Sequence, residues 1–151
     1  MENQPASKID NLKDLIPPFD QRGMNLGIER MQLALKDMEN PCAHIPAIQI
    51  IGTNGKGSIA SFIQSILKAA GIKAGVTTSP HLVSWCERIQ IDGEMISSQE
   101  FRQRLISLKP LAEAHQLTPF ELVMATAFEH FANHKVELLV LEVGLGGRLD
   151  A

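Results

Sequence analysis

Apolar residues recur along the chain with spacings that predict strands alternating with helices. Apolar runs predict strands over residues 48–51, 73–77 and 136–143, and the last run is continuous, which is typical of a strand covered on both faces. The alternation from Arg88 to Ile91, followed by the turn signal Asp92-Gly93, predicts a hairpin. Between the strands, apolar positions recur at helical spacing. This order predicts an α/β fold, with a mostly parallel sheet and helices on both faces.

The helix predicted directly after the first strand has a clear amphipathic pattern over residues 58–70. Gly71 follows its last apolar position, where a glycine commonly ends a helix. We expect this helix to bury one face. That face consists of Ile59, Phe62, Ile63, Ile66, Leu67 and Ala70.

Three further helices have recognisable ends. Ser97 to Glu100 and Thr118 to Glu121 each have the form of a capping box at the start of a helix. Pro110 is expected to kink or end the first of these two helices, because proline lacks the backbone N–H that a helix interior needs. An earlier helix is expected to follow Asn25, whose side chain can cap it.

Two pairs of basic residues lie on these helices. Arg102 and Arg104 are expected to form a solvated face. His130 and His134 have the four-residue spacing of metal ligands, but Phe131 stands where an H-E-x-x-H motif has its glutamate. Both histidines fall in the last turn of a helix, where positive charge suits the helix dipole. The sequence therefore favours the dipole interpretation over a zinc site.

A glycine-rich loop follows the first strand and is the strongest chemical signal. Residues 48–58 read I-Q-I-I-G-T-N-G-K-G-S, a strand, a glycine loop and a helix start, which is the arrangement that cradles phosphate. The loop departs from the P-loop pattern twice, with Ile50 in place of glycine and Gly57 in place of serine or threonine. The alternative is a glycine-rich turn with a solvated lysine at Lys56.

Two further candidate residues, Glu142 and Ser79, lie at or just after the ends of predicted strands, and their positions indicate the same edge of the sheet. Glu142 lies near the end of the continuous apolar strand, where a carboxylate is costly to bury unless it is paired or bound to metal. It is placed like the acid that holds Mg²⁺ near phosphates, and we expect its strand beside the one that enters the glycine loop. Ser79 follows the second strand. The alternatives are a glutamate that reaches solvent and an ordinary turn serine.

Composition limits the classes of function. The chain has 151 residues, enough for one domain, and its 14 Lys+Arg against 17 Asp+Glu give a net charge of −3. We therefore expect no nucleic-acid or membrane partner. Cys42 and Cys86 have no metal-binding spacing, and the polar N-terminus lacks the apolar core of a signal peptide, so we expect a cytoplasmic protein.

Four motifs in order resemble the folate branch of the Mur ligase superfamily, the folylpolyglutamate and dihydrofolate synthases. They are the loop G-T-N-G-K-G-S, the stretch T-S-P-H-L at residues 78–82, E-R-I at residues 87–89, and E-V-G-L-G-G-R-L-D-A at residues 142–151. The resemblance implies a P-loop-like Mur ligase ATPase fold. It also implies that ATP and Mg²⁺ are used to join L-glutamate to dihydropteroate or a folyl-polyglutamate through an acyl phosphate.

The resemblance also implies roles for single residues. Lys56 and Glu142 would be catalytic, and Ser79 and Glu142 would bind Mg²⁺ with a third ligand, a histidine, beyond residue 151. The nucleotide would contact Asn54, Gly55, Lys56, Gly57 and Ser58. The pterin would contact Asn25, Leu26, Gly27, Thr118, Pro119, Phe120, Glu121, Leu149, Asp150 and Ala151. From residue type alone, Phe120 is equally a hydrophobic staple at the helix start.

The resemblance implies, finally, that residues 1–151 form the N-terminal part of the ATP-binding domain, and that the glutamate-ligase domain lies outside this chain. We expect a monomer, inactive by itself. Two alternatives are another Mur-type peptide ligase, against which Gly57 and the T-S-P-H-L stretch argue, and a nucleotide-binding module without catalysis.

Overall fold

The computed structural model describes Leu12, Leu15, Ile16 and residues 28–144. Helices and strands alternate along most of this part of the chain, as predicted. In chain order the elements are α1 (Glu29–Asp37), β1 (Ala47–Ile50), α2 (Lys56–Ala69), β2 (Ala74–Thr77), β3 (Ile89–Ile91), β4 (Glu94–Met95), α3 (Ser98–Ala114), α4 (Pro119–Asn133) and β5 (Leu138–Glu142).

The described strands form one sheet in the order β1-β5-β2-β3-β4. Strands β1, β5 and β2 are parallel, whereas β3 and β4 add an antiparallel hairpin at one edge. The hairpin turns at Asp92 and Gly93, both with positive φ, as a two-residue hairpin turn requires. The α/β class and the position of β5 beside β1 are therefore confirmed, and the continuous apolar run does occupy a central strand.

Helices cover both faces of the parallel strands. Ile50, Val76 and Val140 pack with Ala60 of α2 on one face. On the other face, α4 lies so close to β2 that a Cβ atom on Gly75 would come within 2.7 Å of the Phe131 ring. Only glycine fits that position without displacing the helix.

The predicted single buried face of α2 is wrong. Ile63 and Leu67 do pack on the sheet, but Ile59, Phe62 and Ile66 are exposed, with Phe62 at 69% and Ile66 at 67%. The apolar residues of α2 span a wider arc than the face that rests on β1, β5 and β2. The helix therefore carries a second apolar stripe that the described residues leave uncovered.

Arg104 is not where it was expected, and Pro110 does not end α3. The helix runs through Pro110 to Ala114, and Pro110 and Ile106, four residues earlier, are both exposed, so the carbonyl that proline leaves without a partner can face water. Arg104 is not on a solvated face, because its guanidinium binds the carboxylates of Glu100 and Glu129.

The predicted helix ends are mostly observed. Thr118 and Glu121 form a complete capping box with proline at the first helical position. Ser97 accepts the N–H of Glu100, whereas the Glu100 carboxylate is used elsewhere. The structure places Ile28, not Asn25, at the N-cap of α1, because the helix begins at Glu29.

No helix in the described ranges is both long and apolar enough to cross a membrane. Cys42 and Cys86 form no disulfide with each other.

Candidate active site

The glycine loop leaves β1 after Ile50 and leads into the first turn of α2. Gly55 occupies the N-cap position with φ of 77°, a left-handed conformation that glycine adopts without strain. No side chain caps the helix, so the N–H groups of its first turn are available to an anion. Asn54 and Gly55 lie in the exposed turn, while Lys56, Gly57 and Ser58 begin the helix.

The Lys56 side chain folds back over the loop that precedes it. Its Nζ donates a hydrogen bond to the carbonyl oxygen of Gly52 at 3.0 Å. The ammonium group is therefore held at the loop rather than along the helix, and a positive charge lies where the first-turn N–H groups open.

Glu142 brings two loops together at the carboxyl edge of the sheet. It is the last residue of β5, aligned with Ile50 of β1, and it is buried with 8% exposure. Its Oε2 accepts the backbone N–H of Ser79 at 3.0 Å, and a Cβ atom on Gly57 would lie 3.8 Å from the same oxygen. The expected convergence of the glycine loop, Ser79 and the acid is present.

Ser79 contributes its backbone to this contact. The bond to Glu142 uses the Ser79 N–H, and the described residues give the Ser79 hydroxyl no recorded partner. The peptide bond to Pro80 is cis. Two residues earlier, the buried Thr77 hydroxyl has no hydrogen-bond partner among the described residues. No pattern in the amino-acid sequence indicates this unpartnered hydroxyl at the end of β2.

Glu87 organises the loop that carries Ser79. Its carboxylate accepts the backbone N–H groups of Leu82, Val83 and Ser84 at distances of 2.8, 2.8 and 2.6 Å. These three donors lower the pKa of Glu87 and favour its charged form. The residue was visible in the sequence as part of the E-R-I motif, but its structural role was not.

Arg88 is a buried cation beside the same edge. Its Nε donates to Nδ1 of His81 at 2.8 Å, and its guanidinium lies 4.7 Å from the centroid of the Trp85 ring. Burial lowers the pKa of Arg88, while the negative charge of Glu142 opposes that shift. Burial and the charge of Arg88 lower the pKa of His81, so the imidazole is neutral and can accept. Sequence reasoning included Arg88 in the E-R-I motif but gave it no role, because nothing in the sequence places its partners His81 and Trp85 against it.

A second polar cluster joins the starts of α1 and α4. Glu121 is buried, and its carboxylate accepts the Thr118 N–H at 2.7 Å and both Nε and Nη2 of Arg30 at 3.3 and 3.1 Å. Phe120 is half-buried against the core, but it is the second helical residue of α4, so it does not occupy a position of a hydrophobic staple. The side chains of Thr118 and Glu121 therefore have structural roles, whatever else they contact.

Six predicted site residues lie outside the described part of the chain. They are Asn25, Leu26, Gly27, Leu149, Asp150 and Ala151.

Comparison with known proteins gives close matches. No protein-family model matches the chain. The chain is 40% identical over 136 residues to the dihydrofolate synthase/folylpolyglutamate synthase of Bacillus subtilis, covering 85% of this chain and 32% of that protein. The bifunctional folylpolyglutamate synthase/dihydrofolate synthase of Yersinia pestis, complexed with AMPPNP and Mn ion, matches with a TM-score of 0.82 at 34% identity, covering 93% of this chain and 34% of that one. Escherichia coli FolC in complex with DHPP and ADP matches with a TM-score of 0.81 at 34% identity, over 93% of this chain and 33% of that one.

These matches agree with the geometry of the sheet and its loops. The parallel sheet, the glycine loop at its carboxyl edge and the solved neighbours define an α/β domain with the Mur ligase fold. Within that class, the chain is similar to folylpolyglutamate and dihydrofolate synthases. It spans about a third of the length of the relatives it matches.

Proposed function

We propose that the chain binds ATP and Mg²⁺ at the carboxyl edge of its sheet and serves the joining of L-glutamate to dihydropteroate, to a folyl-polyglutamate, or to both. The observation that carries the proposal is the meeting of three elements at one carboxylate. Glu142 Oε2 binds the Ser79 N–H and lies beside Gly57 in the first turn of α2. Support also comes from the neighbours, which hold AMPPNP with Mn ion and ADP with DHPP.

The residues at this edge fit a magnesium ion. Mg²⁺ prefers oxygen ligands and is commonly held by one or two carboxylates together with phosphate oxygens. Glu142 offers a carboxylate and Ser79 a hydroxyl, and the two residues already meet through the Ser79 N–H. When bound, the ion would neutralise charge on the phosphates.

The glycine loop would hold the nucleotide phosphates. Hydrogen-bond donors come from the backbone N–H groups of Asn54, Gly55 and Gly57 and from the uncapped start of α2. The first turn of α2 itself contains no acidic residue. Lys56 adds a positive charge already held at the loop, and Ser58 adds a hydroxyl. This arrangement positions phosphate and stabilises the charge that develops on it, which is most of what phosphoryl transfer asks of a protein.

The acceptor would be a carboxylate of a pterin-bearing substrate. Phosphorylation of that carboxylate would give an acyl phosphate, from which the glutamate amine would displace phosphate. We propose that the pterin contacts Thr118, Pro119, Phe120 and Glu121 at the start of α4, together with residues outside the described part of the chain, namely Asn25, Leu26, Gly27, Leu149, Asp150 and Ala151. The ion pair between Arg30 and Glu121 would hold the starts of α1 and α4 in a fixed relative position.

The nucleotide part of the proposal is tested by calorimetric titration of the chain with Mg-ATP and with metal-free ATP. Glu142→Gln keeps the shape of the side chain and an oxygen that can accept the Ser79 N–H, but removes the charge. We expect it to weaken Mg-ATP binding about tenfold to a hundredfold and to leave metal-free ATP binding unchanged or tighter. Glu137→Gln is the matched control, because Glu137 lies before β5 at the opposite edge of the sheet and its carboxylate also accepts a backbone N–H, that of Lys73. Equal Mg-ATP affinities for Glu142→Gln and the wild type would refute the site.

The acceptor part is tested by a second titration with dihydropteroate in the presence of a non-hydrolysable ATP analogue. Binding of dihydropteroate supports the folate assignment, whereas nucleotide binding without it leaves a nucleotide-binding module. A muramyl peptide that binds in its place would instead support another Mur-type ligase. Catalysis is tested by glutamate-dependent ADP release from the protein at its native length.

A further inference from the structure

A cluster of potential metal ligands lies at the end of α4 away from the candidate active site. One ligand atom from each of Glu100, His130 and His134 lies within 4.8 Å of the others. The histidines are in the last turn of α4 and at its C-cap, whereas Glu100 is in the first turn of α3. Thr118 and His130 are separated by roughly 18 Å along the helix axis, so the cluster is separate from the capping box of α4.

Both imidazoles are held through the same ring nitrogen. His130 Nδ1 lies 3.0 Å from Glu100 Oε1, and His134 Nδ1 lies 2.9 Å from the carbonyl oxygen of His130. Because a carbonyl or an ionised carboxylate can only accept, each Nδ1 carries the proton and each Nε2 carries the lone pair. A carboxylate or carbonyl on the far nitrogen is the usual support for a metal-binding histidine.

The two rings are close enough to share one ion. Their centroids are 4.2 Å apart, and they project from the same helix face four residues apart. The described residues make no recorded hydrogen bond to either Nε2, so no existing contact needs to break. The Glu100 carboxylate takes no part in the N-terminal cap of α3, because Glu100 contacts the Ser97 side chain only through its backbone N–H.

Arg104 is the group that opposes a cation here. Its guanidinium binds Glu100 Oε1 at 2.7 Å and Glu129 Oε2 at 3.1 Å. Two carboxylates against one guanidinium still leave the cluster with a net charge of −1 when the imidazoles are neutral. An open cavity of about 560 Å³ borders Glu100, Arg104 and Glu129, on the Glu100 side of the cluster.

We propose that His130 and His134 bind a first-row transition-metal ion of the zinc type through their Nε2 atoms, with Glu100 orienting His130 and supplying negative charge. Imidazole nitrogen suits Zn²⁺, Cu²⁺ and Ni²⁺, whereas Mg²⁺ prefers oxygen, so this site would not compete for the ion at Glu142. The ion would be bound at the end of α4, and the hydrogen bond between His130 and Glu100 would connect it to α3. The proposal is independent of the nucleotide site and of the ligase reaction.

Titration of the folded chain with Zn²⁺, and with Co²⁺ as a spectroscopic probe, tests the site. We expect one ion per chain, with visible cobalt bands from nitrogen ligands and no thiolate charge-transfer band. His134→Ala should abolish binding, and Glu100→Gln should weaken it about tenfold to a hundredfold. Arg104→Gln should tighten binding, because it removes the opposing charge.

His115→Ala is the matched control, because His115 also contacts a carboxylate, that of Asp37 at 2.7 Å, but has no second histidine beside it. Its zinc affinity should equal that of the wild type, as should that of Glu142→Gln. His134 is only partly buried, so its replacement is expected to leave the fold intact, which a circular dichroism spectrum checks. Failure of the wild type to bind Zn²⁺, or undiminished binding by His134→Ala, would overturn the proposal.

Discussion

The Glu142 carboxylate and Gly57 lie side by side, although 85 positions separate them in the numbering of the chain. A Cβ atom on Gly57 would be 3.8 Å from Glu142 Oε2, an ordinary van der Waals distance. The parallel register that pairs Ile50 with Glu142 produces this proximity, because both strands then end at the same edge. The start of α2 and an acidic side chain therefore face one small space.

Replacement of Lys56 should weaken nucleotide binding strongly. The ammonium group is held at the glycine loop by Gly52, so its charge is already in place before a phosphate arrives. We expect Lys56→Ala to weaken Mg-ATP binding about a hundredfold, or by about 3 kcal/mol. Isothermal titration measures the change. Lys68→Ala, in the last turn of the same helix, should bind as the wild type does. Similar losses in both variants would mean that Lys56 acts only through net charge.

Replacement of Gly75 should destabilise the fold. An added Cβ would meet three atoms of the Phe131 ring at 2.7 to 3.0 Å, and that ring is fully buried in the core. We expect Gly75→Ala to lower the free energy of unfolding by about 1–3 kcal/mol, as measured by urea denaturation.

Gly57→Ala is the matched control for this prediction. Its Cβ would make only an ordinary contact within a helical turn, so stability should be unchanged or higher by about 0.4–1 kcal/mol. Combining Gly75→Ala with Phe131→Leu should cost less than the sum of the two single changes. Strict additivity would contradict the proposed clash.

The buried ion pair between Arg30 and Glu121 should contribute more than the exposed pairs do. Glu121 is nearly inaccessible and also accepts the Thr118 N–H, so its truncation removes an acceptor from both the Arg30 guanidinium and the Thr118 N–H. Glu121→Ala should cost about 3–5 kcal/mol. The exposed Lys109–Glu113 pair, with both side chains about two-thirds exposed, is the control, and Glu113→Ala should cost less than about 0.5 kcal/mol. A double-mutant cycle with Arg30→Ala measures the coupling, and a coupling near zero would contradict this assignment.

Cys42 should react slowly with alkylating reagents until the solution is strongly alkaline. Burial raises the pKa of the Cys42 thiol from 9.0 to about 11, and a backbone hydrogen bond from Ala132 opposes the shift only in part. Because the folded pKa lies above the unfolded value, the protonated thiol favours the fold. That contribution is fully present below about pH 9 and is lost as the pH rises through 11.

The iodoacetamide rate of Cys42, measured in a Cys86→Ser background, should therefore rise until about pH 11 in the folded chain. The unfolded chain in denaturant is the control and should reach its plateau nearer 9.0. A plateau near pH 9 in the folded protein would contradict the burial of the thiol.

The sequence predicted those parts of the fold that depend on local pattern. The continuous run of β5, the hairpin turn at Asp92 and the capping box at Thr118 were readable because each is set by neighbouring residues. The position of β5 beside β1 followed from one long-range inference, that Glu142 and the glycine loop belong to one edge. That inference is also the part of the site that the structure reproduces.

The contacts that sequence reasoning missed are set by tertiary packing. Pro110 was expected to kink or end α3, and the helix does not end there, at a place where Pro110 and Ile106 are both exposed. Arg104 was expected in solvent and instead bridges two carboxylates. Glu100 lies 30 positions from His130, so spacing within α4 could not reveal it beside the histidine pair. Each case depends on which surface a neighbouring element covers, and one helix pattern does not encode that.

The loop beside Glu142 contains the only tryptophan of the chain. The centroid of the Trp85 ring lies 4.4 Å from that of the His81 ring, and the ring lies beneath the guanidinium of Arg88. The charge of Glu142 acts on this guanidinium and raises the pKa of Arg88 against the effect of burial. Indole emission responds to nearby charge, so the protein carries its own fluorophore at the edge where ligands are expected. A change in the charge of the Glu142 carboxylate should therefore alter the wavelength or the yield of Trp85 emission, and no attached dye is needed to detect it.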